Sequence, residues 1–149
     1  MLLSFISSIT NFTKQEEGNF HVAFLNVPYN ELTKFENNNN LEDIYITQDV
    51  GYALLDESKN SYKPYIFVKS FAKNSLENLA VNLTSGRLPE NSNEILISTH
   101  LKSNGRVEYH IGDKISLDIG TRVRDGIELN EFSFLEENEE IINAEKKEY

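Results

Sequence analysis

With 149 residues and a formal net charge of −10, the chain has the length of one domain, and most faces of such a molecule repel a phosphate backbone, which argues against nucleic acid as a partner. The absence of cysteine removes disulfides, thiol nucleophiles and thiolate metal sites together, and no run of about 18 apolar residues is present to span a bilayer. Nine Phe and seven Tyr, against one Met and no Trp, leave aromatic rings to fill much of a single sizeable core.

Residues 1–13 carry Leu2, Leu3, Phe5, Ile6, Ile9 and Phe12 with no charge before Lys14. A helix rising ~1.5 Å per residue over this stretch falls well short of a ~30 Å hydrocarbon core, so it reads as an amphipathic helix packed on the domain or as the cut end of a longer span. It lacks the basic start and small-residue cleavage site of a signal peptide. Residues 19–27 alternate His21, Ala23 and Leu25 with Phe20, Val22 and Phe24, which predicts a strand with two partly buried faces, stopped by Pro28. Residues 28–36 predict a short helix with Pro in its first turn and Leu32 and Phe35 on one face, and the four Asn of 37–40 end it in a loop.

A strand or bent strand is expected over 44–55 with a bulge at Gly51, followed by a hairpin-like connection over 56–63 and an antiparallel return strand over 65–71. Residues 75–79 suffice for one helical turn only. Gly86, Pro89 and the polar run 90–93 then predict a turn, leading directly into a strand over 94–98. Across that turn Arg87 is placed to reach Glu94 as a bidentate pair that would set the strand's register; two exposed charges worth little are the plainer alternative. One or two helical turns over 99–105 close at Asn104-Gly105, an extended link covers 107–109, and 111–114 form a tight turn. The strand 114–119 points Ile115, Leu117 and Ile119 inward and Lys114, Ser116 and Asp118 outward, up to Gly120.

Beyond Asp125-Gly126 the chain turns acidic. Phe132, Phe134 and Leu135 are expected to anchor this part, and Glu136 to Glu140 read as a solvated stretch. The sum is an α+β fold, a mixed and mostly antiparallel β-sheet with a few short helices, arranged as two small subdomains.

No chemistry-bearing constellation accompanies these elements. His21, His100 and His110 lack the close spacing of a helix-borne zinc motif, and nucleophile-elbow, Walker and dinucleotide-binding glycine patterns are missing. No catalytic, cofactor-binding or metal-ligating residue is therefore assigned, and a small hydrolase has only unpaired carboxylates in its favour. Asn11-Phe12-Thr13 and Asn82-Leu83-Thr84 match the glycosylation sequon, a pattern short enough to arise by chance.

The order Gly-Asn-Phe-His-Val-Ala-Phe at 18–24, Gly-Arg-Leu-Pro-Glu-Asn-Ser-Asn-Glu-Ile at 86–95 and Tyr-His-Ile-Gly-Asp-Lys-Ile-Ser-Leu at 109–117 resembles the MacB-like core domain of FtsX-type ABC-transporter permeases. The resemblance spans about residues 18–120. It implies an extracytoplasmic domain inserted between the first and second transmembrane helices of a bacterial membrane protein, with ATP hydrolysed by a separate cytoplasmic subunit or domain and no enzymatic activity of its own. Residues 1–17 would be the outer end of a transmembrane or stalk helix, 18–120 the N-terminal part of the core domain, and 121–149 an acidic, partly ordered segment leading to a missing C-terminal part. The family continues with an apolar strand that this sequence lacks. That leaves a membrane-proximal, porter-like subdomain incomplete beside the β-rich inserted part, and makes 19–27 an exposed edge that invites a second copy of the chain. The implied partners are the rest of the permease, its ATP-binding subunit, and a peptide, lipoprotein or protein outside the membrane, with cationic peptides favoured by the acidic surface. The competing expectation is a secreted β-rich module that binds protein or carbohydrate.

Overall fold

The computed structural model describes residue 7, residues 20–72, 75–78 and 81–149. The fold is α+β and mostly antiparallel, and the chain divides into two compact units, 1–48 with 71–83 and 49–70 with 84–149. The expected N-terminal helix or span falls outside the described residues, apart from Ser7.

In the first unit Pro28, at φ −61° and ψ 141°, opens a 3-10 turn at Tyr29–Glu31 that runs into helix α1, Leu32–Glu36. The Asn run terminates it as expected. Asn37 donates to the Thr33 carbonyl both from its amide at 3.2 Å and from its side chain at 2.9 Å, and the Asn38 side chain accepts from the Asn40 backbone at 3.0 Å, so the run closes the helix and turns the chain with its own polar groups. Phe35 packs its ring 4.9 Å from that of Phe24. The strand expected over 19–27 is not formed in its described part, 20–27, which is irregular and largely exposed. Both parities of that stretch are apolar, so alternation selects no buried face, and Asn26 at φ 54° sits in the left-handed region that an extended strand excludes. Helix α2, Ser75–Asn78, is a single turn. One turn does not hold itself, and two ties fix its start: the Ser75 amide donates to the Ala72 carbonyl at 2.8 Å, and the buried Ser75 hydroxyl accepts from the Ile46 amide at 2.8 Å.

Among the described residues the sheet has five strands: β1 (Thr47–Leu54), β2 (Tyr65–Phe71), β3 (Ser116–Arg124), β4 (Ile127–Glu128) and β5 (Glu139–Glu148). Their order is β2-β1-β3-β4, with β5 on the other side of β3. β1 and β2 form the expected hairpin. Its connection is closed by the Leu55 amide on the Pro64 carbonyl at 2.8 Å and by an Asx turn in which Asn60 accepts from the amides of Tyr62 and Lys63.

Period-two alternation gives the sheet of the second unit two different faces. One is aliphatic: Ala53, Ile115, Leu117 and Ile119 are buried, with Ile66, Val68, Ile95 and Tyr109 packed against them. The inward set expected for 114–119 is therefore correct. The other face carries Tyr52, Tyr65, Phe67 and Arg122; the Tyr52 and Phe67 rings stack at 4.7 Å, and Tyr65 meets Tyr52 edge-on at 5.9 Å.

Gly120 does not end the strand. β3 runs on to Arg124, turns through Asp125 and Gly126, both at positive φ as a two-residue hairpin loop requires, and pairs with β4. It also pairs antiparallel with β5 along its whole length. Ile119 faces Glu145 and Thr121 faces Ile142, so Asn143 and Ala144 oppose Gly120 alone in a β-bulge, with Asn143 at φ 53°. Gly120 is where backbones converge: a Cβ there would lie 2.4 Å from the Ile142 carbonyl oxygen, and one on Gly51 would lie 2.6 Å from the Gly120 oxygen. The acidic stretch thus supplies β5, because pairing with β3 depends on backbone groups and not on apolar side chains.

The strand expected over 94–98 does not form; these residues join no ladder among the described residues, and Ile95 packs on the core by its side chain. Leu101–Gly105 is a π-helical turn. The residue in the left-handed region after it is Arg106, at φ 54°, while Gly105 is buried beneath Ser58 and accepts from the Lys59 amide at 2.8 Å.

Candidate functional site

The turn over 86–94 is built as its sequence suggests. Arg87 donates to Glu94 through Nη1 at 2.7 Å and Nη2 at 3.0 Å, and the same carboxylate accepts from the Glu90 amide at 3.0 Å and the Asn91 side chain at 2.9 Å. The expected pair exists. With no strand following it, the pair closes the loop on itself and sets no register. The Arg87 hydrogen bonds, aided by the Glu90 amide, hold the Glu94 carboxyl down at about 2. Its folded pKa is thus below the ordinary value of ~4.3, so whatever stability it contributes is present above that value and is lost as pH falls toward 2. The Arg87 side chain is more than half exposed and the Glu94 side chain about a third, so solvent screens the pair and the contribution is small. NMR titration should find Glu94 half-protonated near pH 2, and Arg87→Gln should return it toward the usual carboxylate range with little change in thermal midpoint.

An open cleft of about 480 Å³ in the second unit is lined by Leu55, Glu57, Tyr109, Leu117, Asp118 and Ile141 among others. The Tyr109 hydroxyl donates to Glu57 at 2.5 Å, and burial together with that bond pushes the phenol up to about 12. A phenol so held stays protonated near neutral pH and cannot act there as a general base. The histidines do not gather either: His21, His100 and His110 are all exposed, His110 beside Asp113 at 3.6 Å. Among the described residues no group of three or more His, Asp or Glu side chains is placed to hold a metal ion, and no helix is long and apolar enough to cross a membrane.

The most organised polar arrangement centres on Arg122, which is 0% exposed. Its parity on β3 turns it onto the aromatic face, where its guanidinium lies 3.6 Å from the Tyr65 ring centroid and 5.3 Å from that of Tyr52. Nε and Nη2 grip Glu139 at 2.6 and 2.9 Å, Nη1 donates to the Asn130 carbonyl at 2.9 Å, and Nη2 also donates to the Ser133 carbonyl at 3.2 Å. Burial opposes the guanidinium's charge, but the Glu139 bonds outweigh it and hold the pKa above its ordinary value. Tyr65 donates its hydroxyl to the Ser133 carbonyl, and Lys63 Nζ donates to the Glu131 carbonyl at 3.1 Å. Burial, followed by the charge of Glu131, raises Tyr52 to about 12.

These contacts fix the backbone of 130–133 from beneath and leave Phe132 turned out. Phe132 is 74% exposed and Phe134 60%, so neither anchors the segment as expected; the anchors are Arg122, Tyr65 and Lys63 acting on carbonyl oxygens. Glu139, expected in a solvated stretch, is buried with only 3% of its side chain exposed. The sequence signal for this arrangement was an Arg among apolar strand residues, in Ile119-Gly120-Thr121-Arg122-Val123, where a solvated charge has no place. Comparison with protein-family models, with curated proteins and with solved structures returned no match.

Proposed function

We propose that this chain is an extracytoplasmic domain of an ABC-transporter permease of the FtsX type, which binds a peptide, lipoprotein or partner protein outside the membrane or passes movement on to it. It is a moving part and not a catalyst. ATP-driven displacement of the transmembrane helices would shift the domain, and its differential contacts with the partner would carry the work. The observation that carries this reading is the closed Arg87–Glu94 loop, since the motif residues on which the resemblance rests engage one another as a unit. The α+β sheet is compatible with it.

The test is made in the source cells with a tag at Asn104, in the exposed π-helical turn. The permease reading expects the tagged protein in the membrane fraction, open to protease from outside intact cells, and co-purifying with an ATP-binding subunit. Recovery from the medium without membrane or ATPase would overturn it in favour of a secreted binding module, a second reading that the exposed rings of Tyr62, Phe132 and Phe134 also suit.

A further inference from the structure

We infer that Tyr62 and the loop 129–137 form a docking surface for a basic, amphipathic polypeptide segment of a partner, one that sets apolar side chains on the rings and Lys or Arg side chains on the surrounding carboxylates. This inference deepens the permease reading by giving the chemistry of the partner outside the membrane.

The rings come first. Tyr62 is 71% exposed, and its ring meets that of Phe134 at 6.2 Å, while the Leu135 amide donates to the Tyr62 carbonyl at 2.7 Å and ties the two segments together. Large aromatic side chains in the open lose the stabilisation that burial would give them, and clustered rings of this kind are what interfaces bury at their centres. The second observation is their support. A fully buried arginine, a tyrosine hydroxyl and a lysine all spend donors on the carbonyls of Asn130, Glu131 and Ser133, so the loop is already fixed before anything binds. Ordering cost is therefore met in the free protein, which favours affinity.

Charge selects the occupant. Glu128, Glu131 and Glu137 form no ion pair among the described residues, whereas Arg124 is taken by Glu136 and Arg122 by Glu139. Lys63, whose ammonium lies 5.2 Å from the Phe134 ring centroid, sets one positive charge against these three carboxylates, so the balance on the surface is negative and complements a cationic segment. It disfavours an anionic lipid surface, and it disfavours a second copy of the chain, which would bring the same carboxylates into opposition.

The test uses the full 149-residue chain and a fluorescent synthetic peptide of alternating Lys and Leu blocks, read by anisotropy. A Lys-only peptide of equal charge and a Glu/Leu peptide serve as controls. The Lys/Leu peptide should bind, and Phe132→Ser with Phe134→Ser should weaken it by roughly tenfold or more. Glu128→Gln, Glu131→Gln and Glu137→Gln together, or added salt, should weaken it several-fold. Phe132, Phe134, Glu128 and Glu137 are exposed and Glu131 is half-buried, and circular dichroism checks that each variant keeps its fold. No binding, equal binding of the Lys-only peptide, or indifference to the Phe pair would overturn the inference. So would sedimentation showing wild-type dimers that the Phe pair abolishes, or preferential uptake by anionic vesicles. A secreted chain that binds the peptide fails only the permease reading; a membrane-held chain that ignores it fails only this one.

Discussion

Arg122→Met should cost about 3–5 kcal/mol of unfolding free energy, the range for breaking a buried, hydrogen-bonded ion pair. Methionine roughly matches the length of the side chain, so the loss comes from chemistry. Glu139 is left as a buried carboxylate without its partner, and the carbonyls of Asn130 and Ser133 lose their guanidinium donors. For a chain of this size that corresponds to a fall in thermal midpoint of roughly 10 °C or more. Urea denaturation measures the loss directly. The double variant Arg122→Met/Glu139→Leu separates two roles of the same residue. Removing both charges relieves the unpaired carboxylate, so much of the stability should return. The loop should not recover, since no donor reaches Asn130, and amide exchange over 130–135 should stay faster than in the wild type. Recovery of exchange protection in the double variant would show that the ion pair, and not the carbonyl bonds, holds the loop.

Gly120→Ala should be nearly as damaging although it adds one methyl. That methyl would sit 2.4 Å from the Ile142 oxygen, 2.8 Å from an Ile141 methyl and 3.0 Å from the Ala144 Cα. Two of these atoms are backbone held in the β3–β5 ladder, so space can be made only by opening the bulge and its flanking pairs. A loss at the upper end of the overpacking range, about 3 kcal/mol, is expected. Gly51→Ala should behave similarly, because its Cβ would meet the Gly120 oxygen at 2.6 Å and its φ of 143° is unfavourable for a side chain. Thermal unfolding of both variants against a surface control such as Ser103→Ala checks this, and a change of less than 1 kcal/mol in Gly120→Ala would refute the crowding.

Much of the sheet was legible where side chains decide the structure. The return strand over 65–71 has the bounds its β-branched and aromatic run suggests, and the inward set at 115, 117 and 119 follows from alternation alone. The short helix after Pro28, the one-turn helix at Ser75 and the Arg87–Glu94 fork were legible for the same local reasons. What was hidden depends on partners far along the chain. Residues 20–27 and 94–98 have strand composition but join no ladder among the described residues, and a strand is defined by the neighbour that completes its hydrogen bonds. β5 has poor strand composition and a long partner in β3. Arg122 lies past Gly120, where the alternation of 114–119 stops marking a strand, and only Glu139, 17 positions later, makes its burial tolerable.

The stacked rings beside Arg122 also give the protein an optical label. With no tryptophan in the chain, near-ultraviolet dichroism and intrinsic emission arise mainly from tyrosine. Tyr29 and Tyr62 face solvent and report little asymmetry, whereas Tyr52 lies within 15° of parallel to Phe67 and Tyr65 lies against a guanidinium. Tyr109 and Tyr149, packed on the aliphatic face, add to the near-ultraviolet signal, which therefore follows side-chain packing on both faces of the sheet, while far-ultraviolet dichroism follows the backbone as a whole. The part of that signal lost in Tyr65→Phe belongs to the arginine side, and its melting against the far-ultraviolet curve would show whether that side loosens first.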